Sequence, residues 1–240
     1  EENQYSMIKN NIFGTKTIVD FSTAKKVKNF VFISSDKAVN PKSILGFTKK
    51  FGEKIVCDQL IKNKNKIKTN FTIVRFGNVI GSSGSVIPIF LNQIRQNKPL
   101  TVTHKKVKRY FMSISEAVQL VINASYLNKK GIKIYALNMG KQIYIKTIAQ
   151  RIIRLSGQTF KDSKNSKGDV PLKIIGLKKG EKLSEEITLG NNLTKTNHPM
   201  IMECAEKLNP KKKDRYLKLI ENALKNKRIN KNTFNFYKFL

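Results

Sequence analysis

Three short apolar runs, residues 30–33, 71–76 and 132–137, constrain this chain more than any other feature. Each is too short for a stable helix; the first two are rich in aromatic and β-branched side chains, the pattern of a buried strand, and the third also reads as a strand. The segments between them carry apolar residues at a helical period. Residues 6–25 place Met7, Ile8, Ile12, Phe13, Ile18, Val19, Phe21 and Ala24 in this way, and 44–61, 86–96 and 115–127 behave alike. Strands that alternate with helices build a parallel sheet with helices on its faces, so the expected fold class is α/β. Ligands of such sheets collect outside the carboxyl ends of the strands, and the residues that follow each run are therefore the place to look for chemistry.

The first run ends in Ser34, Ser35, Asp36 and Lys37, followed by a loop at Pro41 and a helix carrying Leu45 and Lys49 on one face. A hydroxyl, a carboxylate and an ammonium together read either as a polar strand-to-helix turn or as acid–base machinery. The second run leads into Gly77-Asn78 and a Gly/Ser loop over 81–85, whose backbone can approach a phosphate or a sugar closely. Pro88 then falls in the first turn of a helix. Residues 103–110 form a basic loop with His104 and Arg109, and Ser113 or Ser115 can cap the helix over 115–127 with Glu116 in its first turn. The third run ends at Asn138-Met139-Gly140. Beyond it, the pattern predicts a helix over 145–156, a polar connector over 161–168, a strand over 172–175 and a basic, glycine-bounded turn over 176–183. Short helices over 184–188 and 200–207 and a strongly basic helix over 211–230 complete the expectation, before an aromatic end at 234–240.

Composition narrows the partners. The 240 residues, 40% of them apolar, suffice for one large domain or a domain with a small lobe. Lys and Arg number 47 against 16 Asp and Glu, a formal charge of +31, which first points to nucleic acid. The lysines, however, are spread through every segment, Arg is scarce, and no short zinc, homeodomain or RNA-binding signature occurs; base readers lean on Arg. The charge predicts anionic ligands and non-specific polyanion binding, with no specific nucleic-acid partner. Cys57 and Cys204 match no metal or redox spacing, and two histidines, His104 and His198, argue against a histidine-built metal site. Reduced thiols fit a cytoplasmic protein. No apolar run is long enough for a membrane span, and because the first residue is not Met the chain is expected to be a fragment or a truncated frame.

The run Phe32-Ile33-Ser34-Ser35-Asp36-Lys37-Ala38-Val39-Asn40-Pro41, then Gly46-Phe47-Thr48-Lys49, resembles the CapD-like nucleotide-sugar 4,6-dehydratases of polysaccharide biosynthesis. These belong to the extended short-chain dehydrogenase/reductases and include UDP-N-acetylglucosamine 4,6-dehydratase. Further matching motifs follow in order: Asn11-Ile12-Phe13-Gly14-Thr15, Val74-Arg75-Phe76-Gly77-Asn78-Val79, Gly81-Ser82-Ser83-Gly84-Ser85-Val86, Arg109-Tyr110-Phe111-Met112, Asn138-Met139-Gly140, Gly180-Glu181-Lys182-Leu183 and Thr196-Asn197-His198-Pro199. The resemblance fades beyond about Lys207.

The resemblance implies a partial Rossmann-like NAD(P)-binding domain and a smaller C-terminal substrate lobe. Residues 1–100, with segments near 115–155 returning, would form the catalytic part, 101–200 mostly the lobe, and 201–240 a basic helical tail. In the family's reaction, hydride leaves C4 of the sugar for NAD or NADP, water is lost across C5–C6, and hydride returns to C6. Carried onto this chain, Ser35 would hydrogen-bond the C4 oxygen, Asp36 would protonate the departing C6 hydroxyl, and Lys37 would assist at the C5 proton directly or through water. Lys49 would hold the nicotinamide ribose, with Asn11, Phe76 and Gly77 also on the cofactor side. Asn78, Ser82, Ser83 and Ser85 would meet the sugar or diphosphate, and Arg109 and Lys178 the phosphates. The implied partners are a UDP-sugar and either a homo-oligomer or a complementary N-terminal half. Membrane contact is expected only through a missing N-terminal region, and the location is the cytoplasm or its membrane face.

Three departures qualify the match. Leu45 stands four before Lys49, where the wider superfamily places a proton-carrying tyrosine, though longer CapD-like proteins also lack it. Lys178-Lys179 replaces an Arg-Pro, keeping charge without the guanidinium fork. The glycine-rich dinucleotide fingerprint is absent, so the chain is expected to be a split or partial enzyme, or a remnant. A 4-epimerase of the same superfamily and a basic binding protein are the alternatives; Asp36 and Lys37 count against the first.

Overall fold

A computed structural model describes residues 3–62, 67–82, 84–188, 190, 192–206 and 213–225. In chain order it forms α1 (Gln4–Ile8), a π-helical stretch (Lys9–Gly14), α2 (Thr15–Ala24), β1 (Asn29–Ile33), a single 3-10 turn (Asp36–Ala38), α3 (Ile44–Lys62), β2 (Asn70–Arg75) and β3 (Asn78–Val79). Next come α4 (Val86–Arg95), β4 (Leu100–Val102), β5 (Lys108–Arg109), β6 (Phe111–Met112), α5 (Ile114–Leu127), β7 (Ile132–Leu137), β8 (Ile143–Tyr144) and α6 (Ile145–Leu155). The last are β9 (Phe160–Lys161), β10 (Val170–Ile174), β11 (Leu193–Lys195), β12 (Ile201–Cys204) and α7 (Lys213–Lys225).

The three apolar runs are the three parallel strands of one sheet, ordered β1-β2-β7-β12-β11. Successive side chains on a strand point to opposite faces. Thus Ile73, Ile134 and Ala136 join one cluster with Phe47, Phe51 and Ile55 of α3, while Val74, Tyr135 and Leu137 join another with Ala117, Leu120 and Ala124 of α5. Helices cover both faces. Each fully buried side chain of Ile73 or Phe71 size contributes about 1.5–3 kcal/mol. The chain is a mixed α/β fold, as its pattern predicts.

β1 is an edge strand of this sheet; among the described residues it pairs on one side only, with β2. Its burial is correspondingly thinner than that of β2, and Ile33 at its end is 41% exposed. The stripe Ile114, Val118, Ile122 and Tyr126 on α5, which packs beneath β1 and β2, also faces outward.

A separate apolar cluster lies among α4, α6, β4 and β10, where Ile145, Ile148, Ala149, Ile152 and Ile153 give α6 its buried stripe against Phe90, Leu100 and Val170. β4, β10 and β9 form a parallel three-stranded sheet there.

Several local expectations change. The helix expected over 200–207, partly in the predicted helical tail, is instead the strand β12, because Ile201–Cys204 pairs antiparallel between β7 and β11. Four residues cannot reveal their period, and the neighbouring strands decide it. Residues 184–188 form bends instead of a helix, tied to neighbours by Ser184 Oγ donating to Gln142 Oε1 and Gln142 Nε2 donating to the Glu185 carbonyl. The basic loop at 103–110 contains β5, paired with β8. The expected basic helix at 211–230 is seen as α7, and the aromatic end 234–240 lies outside the described residues. Among the described residues no helix is long and apolar enough to cross a membrane.

Candidate active site at the strand ends

The site begins where β1 and β2 part. Past their last paired residues, the Ser34 N–H donates to the Val74 carbonyl at 2.8 Å and the Asp36 N–H to the Phe76 carbonyl at 3.1 Å. The chain then makes its single 3-10 turn, capped by Ser35, whose Oγ accepts from the Lys37 N–H at 3.2 Å. That turn puts three polar side chains in one spot. Ser35 Oγ donates to Asp36 Oδ1 at 2.8 Å, and Lys37 Nζ donates to the same oxygen at 3.0 Å and to Asn78 Oδ1 at 3.2 Å. So Ser35, Asp36, Lys37 and Asn78 form one connected group.

Asp36 is fully buried, yet its Oδ2 has no hydrogen-bond partner among the described residues. A buried carboxylate oxygen without a protein partner is costly. Two glycines make the arrangement possible. A Cβ on Gly77 would fall 3.0 Å from Asp36 Oδ2, 2.9 Å from Tyr110 Cβ and 3.3 Å from Met139 Sδ. A Cβ on Gly46 would collide with the Lys37 carbonyl, so α3 can approach the turn only with glycine there.

Lys49 projects from α3 to the end of β1, where Nζ donates to the Ile33 carbonyl at 3.1 Å and lies 5.4 Å from the Phe32 ring centroid. Burial lowers its pKa. Asn11 sits in the π-helical stretch, a wide turn common at functional sites. Its Nδ2 donates to Thr48 Oγ1 at 3.0 Å, fixing α3 one residue before Lys49.

The Gly/Ser loop carries Gly81 and Gly84 at φ 80° and 71°, a left-handed backbone that favours glycine. Ser82 Oγ is spent on the Val79 carbonyl at 2.8 Å. Ser85 is the N-cap of α4 without making a side-chain cap bond, and its Oγ is buried with no hydrogen-bond partner among the described residues. Ser83 lies outside the described residues. Arg109 is buried and donates to the carbonyls of Lys108 and Leu183 and to Glu181 Oε1, at 2.8, 3.3 and 3.4 Å. Its two terminal nitrogens are thus partly engaged within the chain, whereas Lys178 is exposed on its turn. Lys182 Nζ reaches the Val39 carbonyl at 2.7 Å and Asn40 Nδ2 reaches Glu186 Oε2 at 2.8 Å, docking the late basic turn against the loop after Lys37. Two open clefts flank this junction. One, of about 760 Å³, is lined by Asn40, Pro41, Lys42, Leu177 and Glu181; the other, of about 830 Å³, by Tyr110, Gly140, Gln142, Tyr144 and Glu185.

Beneath the site is a group that motif reading alone does not single out. Arg75, the fully buried last residue of β2, forks onto Glu53 at 2.7 and 2.7 Å and onto Glu206 at 2.7 and 2.9 Å. Ser34 Oγ donates to Glu53 at 2.6 Å, and Lys50 lies 3.6 and 3.4 Å from the two carboxylates. Burial works to lower the Arg75 pKa, but the two carboxylates outweigh it and the net shift is upward. Nearby thiols feel the same burial: Cys57 is pushed up to about 12 and Cys204 to about 11, in each case chiefly by desolvation. The available signal is Arg75 itself, a charge at the end of an otherwise apolar run, which demands buried partners.

The sequence profile described as "Polysaccharide biosynthesis protein" matches residues 1–206. The capsular polysaccharide biosynthesis protein CapD of Staphylococcus aureus is 41% identical over 218 residues, covering 91% of this chain and 34% of its own length. A UDP-glucose 4-epimerase of Rickettsia bellii is 33% identical over 190 residues, covering 78% of this chain and 51% of that protein. The chain thus spans about a third to a half of the length of these curated relatives. Among solved structures, Pen from Bacillus thuringiensis matches with a TM-score of 0.70 at 31% identity, over 88% of this chain and 67% of that one. The dTDP-glucose 4,6-dehydratase of Bacillus anthracis, solved with NAD, matches with a TM-score of 0.59 at 15% identity, over 75% of this chain and 59% of that one, a likeness of fold alone. The parallel sheet, the strand-end site and the profile over residues 1–206 agree: the chain belongs to the CapD-like polysaccharide biosynthesis family, with the Rossmann-type fold of the short-chain dehydrogenase/reductases.

Proposed function

We propose that this chain is the catalytic and substrate-facing portion of a nucleotide-sugar 4,6-dehydratase that removes water from UDP-N-acetylglucosamine to give a 4-keto-6-deoxy product. The observation that carries the reading is the unpartnered, buried Asp36 Oδ2 beside the Ser35–Lys37–Asn78 group. Elimination across adjacent carbons requires an acid and a base within reach of both, and Asp36 and Lys37 stand side by side. Asp36 protonates the departing C6 oxygen, Lys37 acts at the C5 proton, and Ser35 holds the C4 oxygen. Leu45 cannot move a proton, so deprotonation at C4 falls to Asp36, Lys37 or water.

NAD or NADP, when bound, supplies the reversible hydride acceptor. The residues present suit its nicotinamide side: the Lys49 ammonium, eased towards neutrality by burial, stands at the open edge of β1, with Gly77 and Phe76 across the strand end and Asn11 fixing α3. The pyrophosphate side needs a glycine-rich turn that these 240 residues do not contain. We assign it to a complementary N-terminal portion that pairs with β1. Residues 1–100, with segments of 115–155, then form the cofactor-facing part, and much of 101–200 the lobe over the sugar. The diphosphate is received at the N-terminus of α4, where Ser85 leaves its hydroxyl unspent, and Lys178 is its exposed cation. Arg109 orients the turn that carries Glu181.

The Rickettsia epimerase relative favours a second reading, 4-epimerisation, which needs no acid for a leaving C6 hydroxyl. One assay separates them. The complete protein, folded and loaded with NAD, is given UDP-N-acetylglucosamine and the product is weighed by mass spectrometry. Loss of one water supports dehydration; an isomer of unchanged mass supports epimerisation; unchanged sugar refutes both.

A further inference from the structure

The Arg75 group does more than neutralise buried charge. Arg75 lies between Val74 and Phe76, and the carbonyls of those two neighbours accept the Ser34 and Asp36 N–H groups at 2.8 and 3.1 Å. These two bonds lace β1 to β2 beyond the paired strands, at the point where the catalytic turn departs. The side chain of Arg75 anchors the same short segment from below through four charge-assisted hydrogen bonds. Glu53 lies on α3 one helical turn beyond Lys49 and also receives Ser34 Oγ. Glu206 follows β12 and accepts from Thr188 Oγ1 at 3.3 Å. Four segments therefore meet at one guanidinium: the end of β1, α3, the end of β2 and the C-terminal stretch. Each of the first three leads directly into candidate site residues: Ser35-Asp36-Lys37, Lys49, and Gly77-Asn78.

We propose that Arg75 is a positioning residue, whose clasp between Glu53 and Glu206 sets the spacing between the Ser35–Lys37 turn and the Gly77–Asn78 turn and makes it depend on the C-terminal stretch. A buried ion pair of this kind adds little stability compared with a packed apolar substitute, so retaining it points to geometry as its contribution. Its planar fork grips two carboxylates at once, which a lysine of equal charge cannot do. Because Lys37 Nζ spans the two turns, 3.0 Å from Asp36 and 3.2 Å from Asn78, a slip between them breaks that bridge.

Two variants of the complete protein test this: Arg75→Lys keeps charge and bulk, and Glu206→Gln leaves the Glu53 fork untouched, so the second remains informative if the first fails to fold. The first readout is hydrogen exchange, which needs no activity. The clasp predicts that Glu206→Gln speeds exchange of amides in 34–39 and 76–80 by tenfold or more; faster exchange confined to 186–206 overturns the proposal. The second readout rests on the dehydratase reading: kcat per folded molecule falls roughly 10- to 100-fold while KM for UDP-N-acetylglucosamine stays within about twofold. Wild-type kcat in both folded variants overturns it. A wild-type protein that leaves the sugar unchanged refutes the functional reading alone, and the exchange experiment still decides the clasp.

Discussion

Two charged groups lie next to each other at the ends of β1 and β2, and they are built on opposite terms. Around Arg75 every charge is paired, buried and bonded in good geometry. Around Asp36 the burial is as deep, but one carboxylate oxygen has no partner among the described residues and the neighbouring lysine is shared between two acceptors. A folded chain does not leave a buried carboxylate oxygen unmet without cost, whereas a saturated network holds a shape. On the proposed reading, the first group fixes positions and the second receives the substrate.

The contrast breaks most sharply at Asp36. On the proposed dehydratase reading, Asp36→Asn in the complete protein removes the acid and lowers water loss by roughly 10²- to 10⁴-fold, with NAD binding intact, as product mass spectrometry and cofactor titration will register. Its unfolding midpoint stays near wild type. Arg75→Met fails in the other manner: Glu53 and Glu206 are left buried facing each other with Lys50, and stability falls by about 3–5 kcal/mol in denaturant unfolding. Should the two variants show the same loss of stability, the distinction between them disappears. Gly77→Ala probes the space between the groups. An added Cβ presses on Asp36 Oδ2, Tyr110 and Met139, so kcat drops roughly tenfold with a modest stability loss of about 1–2 kcal/mol. Ser113→Ala is the distant reference: it opens the capping box of α5 with Glu116 and costs about 1 kcal/mol, without changing turnover per folded molecule. Its pH signature is also definite. The Ser113 hydroxyl and N–H hold the Glu116 carboxyl below its ordinary pKa, so the wild-type advantage exists above that ordinary value and fades as pH falls through the lowered one.

Much of this was legible from residues alone. The short apolar runs between helical segments specify a parallel sheet with helices on its faces, and the polar set after 30–33 gathers at its strand ends. A cap at Ser113 or Ser115 with Glu116 in the first turn was legible too, and the structure selects Ser113, in a capping box with Glu116. What was not legible depends on contacts between distant segments. β12 looks like the start of a helix until β7 offers it an edge, and the 3-10 turn at Asp36 follows from Gly46 and Gly77 allowing close approach. Arg109 illustrates the limit well. The resemblance offers it to the phosphates, while Glu181, Lys108 and Leu183 accept three of its five N–H groups. No spacing rule reveals that a guanidinium is already engaged.

Cys204 adds a last consequence. It ends β12 in the apolar cluster beneath α3, two residues before Glu206, with its thiol raised to about 11. At neutral pH almost none of it is thiolate, and burial keeps alkylating reagents from it. Its reaction with a maleimide therefore times the opening of that corner of the protein, an intrinsic clock that needs no engineered label.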